Sequence, residues 1–127
     1  MARPKKSELT DRELEVIQVF WDRGECTVAE VRDQLAERGR DLAHTTVATL
    51  VRILHEKDFL NQTRDQRPYR FEPARSFEEV SGSLLSELVQ KVFGGSREQL
   101  LVRLVDQKKL TQKERQALED ILREDEK

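Results

Sequence analysis

The sequence predicts a mainly α protein: three helices closed by a β-hairpin, then a purely helical segment. Three observations predict it. Apolar residues recur at helical spacing in six windows, the signature of amphipathic helices. Two short stretches, "FLNQTRD" and "YRFEP", flank a polar turn after the third window and read as paired strands. Beyond Arg75 only helical patterning continues.

Residues 1–9, with Arg3, Lys5 and Lys6, read as a basic flexible tail. The first helix runs from about Asp11 to Asp22. Thr10 and Glu13 have the spacing of a capping box, in which each side chain accepts from the other's backbone N–H. Leu14, Ile17, Phe20 and Trp21 form its apolar stripe, and Gly24 stops it. The second helix opens on another such pair, Thr27 and Glu30. It buries Val28, Val31 and Leu35 and ends at Gly39. Between the two, "GECTV" has room for a very short strand.

The third helix spans about His44 to Lys57. Val47, Leu50, Val51 and Leu54 fall at i, i+3, i+4 and i+7 and face a core. The hairpin follows over residues 59–65 and 69–73, with Asp65, Gln66, Arg67 and Pro68 as its turn. Tyr69 and Phe71 alternate with Arg70, giving one apolar and one basic face. Tyr69, Phe71, Phe59, Trp21 and Phe20 are therefore assigned to the core. Base stacking on RNA would need aromatics exposed on a sheet instead.

Residues 76–127 carry three more helices: 77–93, 97–107 and one after Thr111, which is spaced to cap with Glu114. "GGS" at 94–96 breaks the first two. Their stripes include Val80, Leu84, Leu88, Leu100, Leu101, Leu104, Leu118, Ile121 and Leu122. A unit of about 50 residues cannot hide that much apolar surface alone. A second copy is the expected cover, since two-fold pairs are the commonest oligomers. The boundary between residues 10–75 and 76–127 divides a first domain from a dimerisation domain.

Composition narrows the function. With 36% hydrophobic and 38% charged residues over 127 positions, the chain is polar yet patterned, as a folded helical protein is. No apolar run approaches the roughly 20 residues of a membrane span, and "MARPKKSELT" lacks the apolar stretch of a signal peptide. Cys26 is single, so no internal disulfide or cysteine zinc cluster is expected, and a cytoplasmic location is the expectation. His44 and His55 sit three turns apart on one helix, about 16 Å, too far to share a metal or a proton. No catalytic triad, phosphate loop or HExxH motif is present. No enzyme, metal or cofactor is expected.

The net charge is −2, but residues 38–75 carry eight basic against five acidic side chains, a net +3. Opposite the buried stripe of the third helix lie Thr45, Ala48, Thr49 and Arg52. Other exposed faces here are crowded with long charged side chains. A major groove admits a helix only if its leading turns are slim. Thr45, Ala48 and Thr49 are slim, their methyls suit thymine methyls, and Arg52 one turn on reaches a guanine edge or a phosphate. Thr46, to the side, is a phosphate or cap partner, and His44 at the helix start is a further phosphate candidate. On the hairpin, Arg67 is the primary backbone contact, with Arg64 and Arg70 as further candidates and Lys5 and Lys6 in the tail. The predicted partner is double-stranded DNA. Two rivals remain: a protein-interaction adaptor with the same three-helix-and-hairpin plan that reads no DNA, and a repressor gated by a small effector.

The segments "LTDRELEVIQVFW", "TVAEVRDQL", "HTTVATLVRIL", "RPYRFEP" and "FGGSREQLLVRLVDQKKLTQKERQALEDIL" together resemble the penicillinase-repressor family of bacterial winged-helix regulators, the BlaI/MecI/CopY type. The resemblance implies a winged helix-turn-helix followed by an α-helical dimerisation domain. It implies a homodimeric repressor on a palindromic operator, often with TACA/TGTA-like half-sites. Thr45, Thr46, Ala48, Thr49 and Arg52 match the recognition helix, and Arg67 matches the wing. There are three departures. Arg52 stands one position earlier than the family's usual arginine. Asp58 replaces the glycine that usually follows the helix-ending lysine, so a differently shaped start to the wing is expected. At the position where β-lactam-responsive members are cut by a membrane sensor metalloprotease, this chain has Arg103-Leu104 rather than Asn-Phe. The C-terminal Cys-x-Cys pairs of the copper-responsive members are also missing from the sequence.

Overall fold

The structure, a computed structural model, describes residues 8–107 and 110–125. It divides into two compact units, Met1–Ser81 and Gly82–Lys127. The candidates Lys5 and Lys6 lie outside the described residues.

The first unit is built from α1 (Asp11–Arg23), β1 (Cys26–Thr27), α2 (Val28–Glu37), α3 (His44–Glu56), β2 (Leu60–Arg64), β3 (Arg70–Pro73) and the opening turn of α4 (Phe77–Val92). Both capping boxes form. Thr10 Oγ1 accepts from the Glu13 N–H at 3.2 Å while Glu13 Oε1 accepts from the Thr10 N–H at 3.1 Å. Thr27 and Glu30 repeat the arrangement at the start of α2. Each box satisfies donors that a helix start otherwise leaves unpaired.

The three strands form an antiparallel sheet in the order β1-β3-β2. β1 pairs Cys26 with Phe71 and Thr27 with Arg70. β2 and β3 run from the Leu60–Pro73 pair outward, and the register slips between Gln62 and Arg64. Helices and sheet close on one core. Val47, Val51 and Leu54 of α3 meet Val31 and Leu35 of α2 and the Ile17–Phe20 side of α1 there, with Phe59, Leu60 and Phe71 from the hairpin. Val16 and Val19 are fully buried as well. α1 therefore buries a broader face than its stripe predicted, because α2, α3, β3 and the start of α4 enclose it.

Two contacts bring the hairpin's exit back to α1. Trp21 Nε1 donates to the Arg75 carbonyl at 2.9 Å, and the Trp21 and Phe77 rings meet edge to face with centroids 5.4 Å apart. A third connection joins the two ends of the helical body. Lys57 Nζ lies 2.8 Å from Glu13 Oε1 and donates to the Glu8 carbonyl at 3.0 Å. Glu13 is only 4% exposed, and the Lys57 ammonium is the opposite charge in contact with its carboxylate.

Asp58 adopts φ +69°. The Phe59 N–H bonds to the Leu54 carbonyl at 2.9 Å and the Asp58 N–H to the His55 carbonyl at 3.1 Å. This is the Schellman termination of α3, with the aspartate in the left-handed position that glycine usually fills. The start of the wing thus keeps the turn a glycine would give, at the expense of some backbone strain. Asp58→Gly is expected to raise folding stability by about 0.5 kcal/mol, the relieved strain slightly exceeding the added chain entropy. A urea-denaturation midpoint lower than the parent's would contradict that assignment.

In the second unit α4 continues to Val92, followed by α5 (Arg97–Gln107) and α6 (Gln112–Asp125). Thr111 and Glu114 cap α6 reciprocally at 3.0 Å. Among the described residues of this unit only Val89 is buried. Leu84, Leu88, Leu101, Leu104, Leu118, Ile121 and Leu122 are between 38% and 63% exposed, and Leu100 is half-buried. Val80 differs from the other candidates for pairing: it is 5% exposed and belongs to the core of the first unit. No helix among the described residues is long and apolar enough to cross a membrane.

Candidate nucleic-acid interface

The buried stripe of α3 decides which residues point outward. With Val47, Leu50, Val51 and Leu54 inside, Thr45, Thr49 and Arg52 are exposed on the opposite face. Ala48 and Thr46 are half-buried beside them. The sequence-predicted face therefore exists as one continuous surface, slim over its first two turns.

The hydrogen bonds on this face sharpen its chemistry. Thr49 Oγ1 donates to the Thr45 carbonyl at 3.0 Å. The hydroxyl's proton is thereby used inside the helix, leaving its lone pairs and methyl outward. Thr49 is set to accept from a base amino group or to touch a thymine methyl. Arg52 Nη1 donates to Glu56 Oε2 at 3.0 Å, with both side chains more than half exposed. An exposed pair one turn apart is worth about 0.3–0.5 kcal/mol, too little to withhold the guanidinium from a stronger acceptor. Ala43 is the N-cap of α3 and makes no side-chain cap bond, so Thr46 does not serve as the cap. His44, the first helical residue, is exposed.

The wing divides its arginines between two tasks. Arg67 sits in the exposed turn, its guanidinium 5.9 Å from the centre of the Tyr69 ring. Arg64 Nη2 turns back to the Arg67 carbonyl at 3.5 Å. Arg70 faces the helical body, 3.4 Å from Glu25 and 3.8 Å from Glu30. The Thr27 backbone N–H first, and the Arg70 charge after it, hold the Glu30 carboxyl below its ordinary range.

Tyr69 departs from the core assignment: it is 41% exposed. The alternation that assigned it inward begins only at Arg70, where β3 begins, so Tyr69 belongs to the turn. It lines a hollow of about 540 Å³ with His44, Ala48, Arg67 and Pro68, between the start of α3 and the wing. Sequence reasoning placed Tyr69 in the core and so missed its exposed place beside the start of α3. The run of turn residues immediately before it was the available signal.

The remaining candidates have bland surroundings. Cys26 is buried, and burial first, then the Glu30 charge, pushes its thiol pKa up. It is a protonated, core-lining side chain at neutral pH. His55 packs edge to face on Phe71 at 5.7 Å. No cluster among the described residues could hold a metal ion. Arg103 and Leu104 are exposed within α5, so a protease would have to unwind the helix to reach the bond between them.

The family model described as penicillinase repressor matches residues 9–124. The chain is 38% identical over 104 residues to the transcriptional regulator BlaI of Mycobacterium tuberculosis, covering 80% of this chain and 75% of that protein. It is 22% identical over 118 residues to the methicillin resistance regulatory protein MecI of Mammaliicoccus sciuri, covering 93% of this chain and 95% of that one. Among solved structures, the solution structure of the DNA-binding domain of the repressor BlaI superimposes with a TM-score of 0.51 and 25% identity. That match spans 61% of this chain and 93% of the other.

Proposed function

The chain belongs to the penicillinase-repressor family, and on that premise we propose that it represses transcription by laying α3 in the major groove of a promoter operator. The observation that carries the reading is the α3 face itself: slim, polar and exposed over Thr45, Ala48 and Thr49, with Arg52 one turn on and the wing beside it. The similarity to a repressor's DNA-binding domain favours DNA over a protein-adaptor role for this face.

The reading has three parts. Thr45, Ala48, Thr49 and Arg52 face base edges, which carry the sequence information. Arg67 meets the phosphate backbone, where each cation releases counterions, and His44 with Thr46 flanks it at the start of α3. Two chains pair through the exposed apolar residues of the second unit, Leu101, Leu104 and Ile121 among them. Large apolar side chains left exposed in such number point to a covering partner. Pairing gives a two-fold protein, and a two-fold protein reads an inverted repeat whose half-sites lie about one helical turn apart. The place of work is the cytoplasm, where the promoter is.

Separating the two kinds of contact tests the assignment. Thr49→Ala and Arg52→Ala are each expected to cost about 1–3 kcal/mol on the preferred duplex and much less on random DNA. Arg67→Ala is expected to weaken binding to both alike and to flatten its salt dependence. Titration of the two duplexes at several salt concentrations decides it. Loss of preference in Arg67→Ala with preference kept in Arg52→Ala would reverse the roles.

A further inference from the structure

The proposed DNA-binding role leaves one acid unexplained. Glu25 lies exposed in the short link between α1 and β1, within reach of both strands of the wing. An acidic side chain near a DNA-binding arm should repel phosphate. Yet its carboxylate accepts a hydrogen bond from the Thr63 hydroxyl of β2 and lies 3.4 Å from Arg70 Nε of β3. Its backbone carbonyl also accepts from Arg70 Nη2 at 3.5 Å. One residue of the α1–β1 link thus contacts both strands of the wing.

The location of the grip matters. Thr63 is the residue at which the β2–β3 register slips, between Gln62 and Arg64. A bulge interrupts the ladder and leaves a residue without its cross-strand partner. Beyond it only the Arg64–Arg70 pair and the turn remain, and β2, at the edge of the sheet, has no strand on its far side. Glu25 takes hold at that weak point. Among the described residues, the side-chain hydrogen bonds and ion pairs that run from β2 and β3 to the α1–α2 region all end on Glu25 or Glu30. Glu30 is also committed to the cap of α2, and its distance to Arg70 is the longer one.

We propose that Glu25 is a positioning residue for DNA binding: by holding Thr63 and Arg70 it fixes the attitude of the wing and so delivers Arg67 to the phosphate backbone. Arg70, considered in the sequence as a phosphate contact, serves as the other half of this clamp.

The proposal predicts the opposite sign from simple electrostatics. Removing an acid should tighten binding to a polyanion, whereas releasing the wing should loosen it. The test uses the full chain and a duplex selected from random DNA by the unmodified protein. Dissociation constants and salt slopes are measured for the parent, Glu25→Ala, Glu25→Gln, Arg67→Ala and the Glu25→Ala/Arg67→Ala double variant. Glu25→Ala is expected to weaken binding about fivefold and to flatten the salt slope by about one unit per wing, as loss of the Arg67 contact would. Glu25→Gln, which keeps an acceptor for Thr63, is expected to recover part of the loss. The double variant is expected to bind no worse than Arg67→Ala alone, since both changes remove one function. Binding by Glu25→Ala equal to or tighter than the parent's, or losses that multiply in the double variant, would overturn the clamp while leaving the DNA-binding role intact. A parent chain that binds no duplex would overturn both.

Discussion

Ile121→Asp is expected to abolish pairing and to lower affinity for the selected duplex by about a thousandfold or more. Ile121 is 63% exposed on α6, so the single chain loses little when it becomes polar. In a two-fold pair the change is made on both sides of the interface, and a carboxylate taken from water into an apolar contact without a partner is heavily penalised. A lone chain then holds one half-site with one helix. Its affinity falls toward the non-specific level, which for operator-binding proteins lies some 10³-fold or more below specific binding. Sedimentation of the variant, together with a duplex titration, checks both halves of the prediction. Urea unfolding of the core around Phe20 and Phe59 provides the folding control. A variant that remains paired and binds as the parent does would place the pairing surface elsewhere.

Lys57→Met is expected to cost about 2–3 kcal/mol of folding stability. Glu13 is buried, and its carboxylate is held by Lys57 Nζ at 2.8 Å and by the Thr10 N–H at 3.1 Å. Methionine preserves most of the stem but removes the cation, leaving a buried negative charge with one neutral donor. Breaking a fully buried pair costs about 3–5 kcal/mol. The lower figure applies here because the Lys57 side chain is 26% exposed and water can partly replace it. The Glu13→Gln/Lys57→Met pair is expected to regain most of the loss, since no charge then remains buried. Urea midpoints for the single and double variants decide it. A double variant as unstable as Lys57→Met would show that the stem's packing, not the ion pair, held the two ends together.

What could be read from the sequence and what could not divide along a physical line. Signals contained within one helix were legible. The Thr–Glu pairs at 10 and 13, 27 and 30, and 111 and 114 each closed as capping boxes, because both partners lie within one turn. The α3 face was legible for the same reason: its 3.6-residue period separates Val47, Val51 and Leu54 from Thr45, Thr49 and Arg52. Partnerships across the chain were not legible. Arg70 looked like a free cation on a basic strand face until folding brought Glu25 to it from 45 positions away. Lys57 and Glu13, 44 positions apart, gave no local sign of their pairing. Val16 and Val19 were missed because periodicity locates one apolar face but does not count the neighbours enclosing a central helix. Asp58 lies between these cases. The family resemblance marked its position as one where glycine is usual, but only the backbone shows that aspartate accepts the left-handed geometry there.

The outward face of α3 is proposed to read base sequence, with two chains doing so together. Selection of bound duplexes from a random DNA pool by the full chain at moderate salt tests it most directly. The expected result is an enriched inverted repeat with half-site centres about one helical turn, roughly 10 base pairs, apart, and loss of that enrichment in Arg52→Ala. A folded, paired protein that retains all sequences equally, or one that enriches a motif unaffected by changes at Thr45, Thr49 and Arg52, would contradict it.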